Sequence, residues 1–374
     1  MDKILFVANI HKHFLAFHLP YIQWFKERGY EVHVAAGGDP NIVVPFVDKQ
    51  FTLSIERNPF NFSNIKACRK LQAIINREHY HLIHCHTAMG AVVSRLAARK
   101  ARAEGKCKVL YTAHGFHFFK GSPKRYWIMY YPMEKYLSRY TDAIITINQE
   151  DYDLVNTHKF RNGATYKIPG IGINTERLII SSPEIKQHLR QEYGYKETDL
   201  ILIYIAEYIE RKNHRFIIDS LPELVKTIPN IKVLFAGRGR LMEQVQAYAQ
   251  MLHVNKYIDF LGFRKDIGQL IALSDIGISA SRQEGLGLNL AEEMYAGLPV
   301  VASDDRGHRE LVESQVTGYV YPQMDKSAFV RSIIELADNS VLRERMGMNA
   351  RIKVQHFSLE NALQAMSKIY QMYI

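Results

Sequence analysis

Two carboxylates on either side of a glycine-bearing helix start are the residues of this chain whose types and spacing point most directly to chemistry. Glu284 and Glu292 stand in DIGISASRQEGLGLNLAEEMYAGLPVVAS, residues 275–303. The stretch reads as strand, loop, helix, turn, strand. Ile276, Ile278 and Ala280 alternate as in a strand, and Glu284-Gly285-Leu286-Gly287 is a loop that small residues allow to turn tightly. Leu288 to Ala296 carries apolar residues at helical spacing, Gly297 and Pro299 stop that helix, and residues 299–303 form the next buried strand. A helix start offers unpaired N–H groups and a partial positive charge, so a diphosphate can rest at Gly287 and Leu288. Glu284, just before it, can accept hydrogen bonds from sugar hydroxyls, and Glu292, inside the helix, can hold the hydroxyls of a ribose. Two glutamates alone carry little information, because about a quarter of any globular chain is charged. The strand–loop–helix–GLP–strand setting is what makes them informative.

In that setting E-G-L-G-L-x-L-x-E followed by AGLPVVAS resembles the donor site of the retaining glycosyltransferases of the GT-B fold called GT4, or glycosyl transferases group 1. The two glutamates match that family's E-x7-E motif. The resemblance implies an α/β protein of two Rossmann-like β/α/β domains facing across a cleft, with the nucleotide-sugar donor on the second domain and the acceptor on the first. Lys212-Asn213 match the family's G-R-L-x-x-x-K-N loop, which implies Lys212 on the diphosphate. Glu207 stands where the family has Arg, a departure shared with a subgroup making bacterial exopolysaccharides or capsules, and Arg211 is the replacement cation. Phe263, in Phe260-Leu261-Gly262-Phe263-Arg264, matches the loop that meets the nucleotide base. Glu310 falls in the segment corresponding to a loop and helix near the site. His114, just past a strand end in Thr112-Ala113-His114-Gly115-Phe116-His117, matches a histidine close to the transferred sugar, with His117 as a second candidate.

The implied reaction moves a hexosyl unit from a nucleotide sugar, UDP-linked by family frequency, to an acceptor hydroxyl with retention. A retaining hydrolase needs two carboxylates across the bond. Here both glutamates are assigned to donor binding, so the departing diphosphate takes the acceptor proton on the front face. Lys212, Arg211 and the helix start stabilise it, and no metal or other cofactor is expected. Where many relatives have a glycine-rich loop after the first strand, this chain has Asn9 to Phe14 without glycine, which leaves His11, Lys12 or His13 to act there.

Other signals are weaker. Gly237-Arg238-Gly239 has Met242 in place of the third glycine of a dinucleotide fingerprint and reads as a strand-to-helix turn. His84 and His86 lie on one face of a strand, but no partner spacing completes a ligand set, so no metal is assigned.

The elements that must position these residues are β/α units. The chain has 374 residues, 47% hydrophobic and 23% charged, the composition of a two-domain globular protein. Strands are expected at residues 3–8, 31–36, 51–55, 82–86, 108–113 and 143–147, with helices over 14–28, 63–78 (Ser63 as a cap) and 90–100. A second set of strands is expected at 200–206, 231–236, 257–261, 275–280 and 299–303. Residues 168–174, rich in Pro and Gly, mark the boundary. The expected domains are 1–170 and 171–356, with the helix of 357–374 returning to the first by resemblance.

Three scattered cysteines exclude a disulfide framework, and no signal peptide or membrane span is evident, so a cytoplasmic location is expected. The net charge of +10 is uneven: residues 1–170 carry 24 Lys+Arg against 13 Asp+Glu. Within that half, Lys120, Lys124, Arg125 and Trp127 belong to a stretch of alternating aromatic and basic residues, 116–140. Interfacial segments combine these types, which points to an anionic membrane surface and a lipid-linked or saccharide acceptor at the inner face of the cell membrane. The alternatives are a nucleotide-sugar epimerase on the same fold and a basic nucleic-acid-binding protein. No nucleic-acid module is present, so no nucleic-acid partner is expected.

Overall fold

The structure is a computed structural model, and it describes residues 2–374. It divides into two compact units: Met1–Gly172 with Leu359–Ile374, and Ile173–Ser358.

The first unit holds seven strands: β1 (Lys3–Ile10), β2 (Glu31–Gly37), β3 (Lys49–Thr52), β4 (Leu82–His86), β5 (Lys108–Ala113), β6 (Ala143–Thr146) and β7 (Ala164–Lys167). They lie in the order β3-β2-β1-β4-β5-β6-β7. Every pair is parallel; Ile4, for example, faces Val32 on one side and Leu82 on the other. Ile4 to Ala8 are wholly buried, which a parallel sheet covered on both faces requires and a continuous apolar run supplies.

The second unit repeats the plan with β8 (Leu200–Ile205), β9 (Ile231–Ala236), β10 (Ile258–Gly262), β11 (Ile276–Ser279), β12 (Val300–Ser303) and β13 (Gly318–Tyr321), ordered β10-β9-β8-β11-β12-β13 and again all parallel. In each sheet the order reverses beside the unit's first strand. The crevice beyond the carboxyl ends of β1 and β4, and of β8 and β11, is therefore where such sheets bind ligands.

Two local expectations are corrected. The helix expected over 14–28 is two helices, His11–Phe17 and Leu19–Lys26, broken at His18. Pro20 has no N–H to continue the first helix but suits the opening turn of the second. Ser63 is the first helical residue of Ser63–Glu78 rather than its cap; Phe62 holds that position without a side-chain bond.

The last helix, Leu359–Gln371, is docked in the first unit by Tyr370. Its ring meets Phe25 at 4.6 Å and Trp24 at 5.6 Å, and its hydroxyl lies 2.8 Å from His84 Nδ1. Gly172 makes the approach possible: it has φ +86, and a Cβ there would stand 2.5 Å from the Leu359 Cα.

Candidate functional site

The polar side chains of the second unit converge where its topology predicts. β8 ends at Ile205, and the chain then runs through Glu207 to a 3-10 turn, Glu210–Lys212. β11 ends at Ser279 and leads through Ser281 and Glu284 into the helix Leu288–Tyr295. Tyr204, buried on β8, ties the two loops together: its hydroxyl donates to the Lys212 carbonyl at 2.6 Å and meets Ser281 Oγ at 3.1 Å. Arg282 N–H donates to the Arg211 carbonyl at 2.7 Å. The helix itself is anchored by Leu290, Ala291 and Met294, all buried. Truncating a leucine so placed costs about 2–5 kcal/mol.

Glu284 is the centre of this arrangement. It is 8% exposed and its carboxylate is ion-paired with Lys212, with Arg211 Nη1 at 3.7 Å from the other oxygen. Burial by itself pushes the carboxyl up; the Lys212 and Arg211 charges, with His308 behind them, outweigh it and hold Glu284 at about 2. Glu284 therefore stays ionised throughout the neutral range.

Three neighbours of Glu284 carry no motif in the sequence that marks them. Asp305 Oδ1 accepts from the Glu284 N–H at 3.0 Å and from the Gly307 N–H at 2.9 Å, which fixes the loop to the cap of the helix Arg306–Leu311. Burial lifts Asp305 to about 7, with its Gly307 bond and Arg306 acting against the shift. Arg306 Nε donates to the Glu284 carbonyl at 3.3 Å. His308 is wholly buried and donates from Nδ1 to the Ser303 carbonyl at 2.8 Å, so its ring stands against Gly287. Gly287 has φ +93, and a Cβ there would come 3.2 Å from the His308 ring. The signal that could have found this trio is the Asp-x-Gly cap two residues after β12.

Glu292 lies just over one turn into the helix, 9% exposed, paired with Arg177. Burial pushes its carboxyl up and Arg177 works against the shift. Arg177 sits in the segment after the unit boundary, where no motif marks it. Glu293, next to Glu292 and wholly buried, is pushed well above the carboxylate range by burial and by Glu292 itself. Leu288 is half-buried at the helix start. Phe263 is exposed at the end of β10, with the Arg238 guanidinium 5.1 Å over its ring. Glu207 is exposed beyond β8, and Glu310 is half-buried on the helix that carries His308. Gly237 and Gly239 serve close approach: a Cβ on Gly237 would collide with the Ala206 carbonyl, and one on Gly239 with Tyr208. A concavity of about 800 Å³ is lined by Tyr195, Asn230 and Tyr257 at the amino ends of the strands, away from all of these groups.

The corresponding crevice in the first unit is built from histidines. β1 passes directly into the helix beginning at His11, which is buried, so no phosphate-binding loop follows it. His13 and His18 from the broken helix pair, His86 at the end of β4 and His114 just past β5 come together there. His13 and His18 Nε2 are 3.1 Å apart; His86 Nδ1 and His114 Nε2 are 3.3 Å apart. Burial pushes all four below the usual histidine range, His13 to about 4, so the cluster is uncharged at neutral pH. Thr87, between β4 and the helix Ala88–Ala103, is held at φ 64 and ψ 153, a conformation scarcely used by residues other than glycine. Its hydroxyl donates to Asn9 Oδ1 at 2.8 Å, joining the ends of β4 and β1. His84 is satisfied by Tyr370 and by Thr112 Oγ1, each at 2.8 Å. A cavity of about 180 Å³ beside His114 is lined by Thr87, His117, Tyr130 and Glu134.

The basic, aromatic stretch divides by face. Phe118 and Phe119 are buried, and Trp127 is half-buried with its indole N–H donating to the Phe119 carbonyl at 3.2 Å. Lys120, Lys124 and Arg125 are exposed, joined by Ile128 at 77% exposure. No helix among the described residues is long and apolar enough to cross a membrane.

Residues 185–353 match the family described as Glycosyl transferases group 1, and residues 3–149 match Glycosyl transferase 4-like. EpsD of Bacillus subtilis (strain 168), provisionally named a glycosyltransferase, is 44% identical over 372 residues, covering 100% of this chain and 97% of that protein. The UDP-Gal:alpha-D-GlcNAc-diphosphoundecaprenol alpha-1,3-galactosyltransferase of Escherichia coli is 24% identical over 87% of this chain and 83% of its own. Among solved structures, Anabaena HepE in complex with UDP and glucose superposes with a TM-score of 0.78 at 21% identity over 100% of both chains. Sucrose-phosphate synthase from Thermosynechococcus elongatus gives 0.82 at 18% identity, over 100% of this chain and 99% of that one. These likenesses show the two-domain fold expected from the glutamate motif, GT-B.

Proposed function

The chain belongs to the glycosyl transferases group 1 family, and from that premise we propose that it moves a hexosyl unit from a UDP-sugar, with retention, to a lipid-linked saccharide in the making of an extracellular or capsular polysaccharide. The observation that carries the reading is the Lys212–Glu284 pair, with Arg211 beside it, at the start of the helix Leu288–Tyr295. Two cations and a helix start suit a diphosphate leaving group, and a buried, ionised carboxylate suits a sugar hydroxyl.

In this account the donor diphosphate takes up Lys212, Arg211 and the N–H groups at Gly287 and Leu288. Glu284 orients the hexose, Glu292 holds the ribose and Phe263 meets the base. As the C1–O bond breaks, charge grows on the β-phosphate, and the cations stabilise it without a metal ion. The acceptor hydroxyl attacks the same face, and its proton passes to the departing phosphate oxygen. His114 and the cavity beside it are the first unit's own candidate groups for a saccharide. UDP is favoured by its presence in the HepE complex, and a lipid-linked acceptor by the substrate named for the Escherichia coli enzyme. Lys120, Lys124 and Arg125 then rest on the anionic inner face of the cell membrane, each contributing about 1 kcal/mol.

The test is product formation. UDP-glucose, UDP-galactose and their N-acetyl forms are incubated with protein and short-chain polyprenyl-diphosphate saccharides, and the anomeric proton of any product is read by NMR. An α-linked saccharide from an α-linked donor is the expected result. A β-linked product rejects retention. A donor converted to its epimer with no acceptor present rejects transfer.

A further inference from the structure

The first unit gathers imidazoles at its switch point, a composition that sugar binding does not require. His13 and His18 come from either side of a helix break, His86 from the end of β4 and His114 from the loop after β5. One nitrogen of each ring lies within 4.8 Å of a nitrogen of every other. Two of the pairs, at 3.1 Å and 3.3 Å, approach the edge of a ligand tetrahedron. Metal–nitrogen bonds of about 2.0–2.1 Å make that edge roughly 3.3–3.4 Å. We propose that His13, His18, His86 and His114 form a closed, four-coordinate site for one divalent transition-metal ion, zinc before others.

The donor set selects the ion. Imidazole nitrogen suits zinc, copper, nickel and iron, whereas magnesium and calcium demand oxygen ligands that this cluster does not offer. The competing arrangement is two N–H···N hydrogen bonds between the ring pairs. In either arrangement Nδ1 of His86 faces His114 and its Nε2 is buried without a hydrogen-bond partner, so metal loading is what decides between them. The rings are held from behind: His84 stands 4.1 Å from His86 and is itself fixed by Tyr370 and Thr112. The one other grouping of metal-ligating side chains among the described residues, Glu31, His33 and Glu78, is already met by Lys3 and Lys49.

With four protein ligands the ion has no open position, so it orders the crevice rather than acting on the diphosphate. Its consequence for His114 rests on the transfer reading. Nε2 faces the cluster, so metal there places the proton on Nδ1 and makes His114 a hydrogen-bond donor.

The experiment uses full-length protein without a histidine tag, stripped with chelator, equilibrated with excess zinc chloride and freed of unbound metal. Elemental analysis is expected to find about one zinc per chain. The zinc-edge X-ray absorption spectrum is expected to fit four imidazole nitrogens at about 2.0–2.1 Å. In His13→Gln/His86→Gln the content falls below about a tenth, while in the surface control His79→Gln/His81→Gln it stays at one; these ratios express the loss of half the ligand set. Circular dichroism of both variants checks folding. Zinc well below stoichiometry in wild type, or equal zinc in the cluster variant, overturns the site. Should that variant not fold, the wild-type spectrum decides alone, and oxygen-dominated coordination overturns it. Because none of these readouts involves a donor or acceptor, the site can fail while the transfer reading stands, and the reverse.

Discussion

Beyond β8 and β11 the second unit collects Lys212, Arg211, Glu284 and Asp305; beyond β1 and β4 the first unit collects four imidazoles. The backbone plan is the same in both, parallel strands with the order reversing beside the first, so the fold does not decide what the crevice binds. The side chains do. In the second unit buried charge is compensated: Glu284 is paired, and its carboxyl is held at about 2 by cations that outweigh burial. In the first unit charge is excluded: burial keeps the rings neutral. A site of the first kind exchanges an internal counter-ion for an anionic ligand. One of the second kind offers lone pairs and N–H groups to sugars or to a metal.

The largest effect expected from breaking this contrast is at Lys212. Lys212→Ala should lower kcat/KM by about 10²–10³, the usual loss for one group stabilising a leaving charge. It should also destabilise the second unit, by less than the roughly 3–5 kcal/mol of a fully unpaired buried charge, because Arg211 still stands 3.7 Å from Glu284. Lys212→Arg should recover most of the stability and less of the rate. Urea melts and initial rates separate the two.

A second prediction sets the acid sensitivity of the units against each other. Seven histidines in the first unit are pushed below their usual value by burial, against two in the second. Between about pH 6.5 and their folded values the unfolded chain binds more protons, so their contribution is full above pH 6.5 and is lost as pH falls. The loss is about 1.4 kcal/mol per pH unit for each buried ring. Glu284 is depressed instead; its contribution is present above about pH 4.5 and is lost only as pH falls towards 2. Hydrogen exchange on metal-free protein from pH 7 to 5 should therefore show the β4 amides losing protection before those of β11. Equal loss, or β11 first, contradicts the assignment of charge.

A smaller effect is expected at the helix start. Gly287→Ala must carry a Cβ at φ +93 and press it on His308, for a cost of about 1–2 kcal/mol in the unit and a several-fold weaker donor KM. Smallest is the exposed basic face. Replacing Lys120, Lys124 and Arg125 by Ser should weaken binding to anionic vesicles several-fold per residue, with no change in the rate on a soluble acceptor. Vesicle sedimentation at two salt concentrations checks it.

How legible each part of the site is in the sequence follows from how local its signal is. The loop–helix–GLP stretch encodes its own turn, cap and stop within its 29 residues, 275–303, so Glu284, Gly287 and Glu292 can be named from the residues alone. Arg177 cannot: it meets Glu292 across 115 residues of sequence, from a segment with no motif. The histidine cluster is invisible for the same reason. Spacing rules see His84 and His86, yet it is the order β1-β4-β5 that brings His13, His18 and His114 to His86, while His84 turns to Tyr370. Composition also cannot choose faces. The aromatic, basic stretch reads alike at every apolar position, but Phe118 is core and Ile128 is exposed.

The central claim is that the second unit's charged crevice is a nucleotide-sugar site, and thermal-shift binding of UDP, GDP and ADP tests it most directly, with Glu292→Ala and Lys212→Ala beside wild type. A nucleotide at about 100 times its dissociation constant adds about 2.7 kcal/mol of stability. The account predicts that UDP raises the wild-type melting temperature, that Glu292→Ala and Lys212→Ala each lose that shift, and that GDP and ADP do less. A wild-type protein whose melting none of the three nucleotides moves would contradict it.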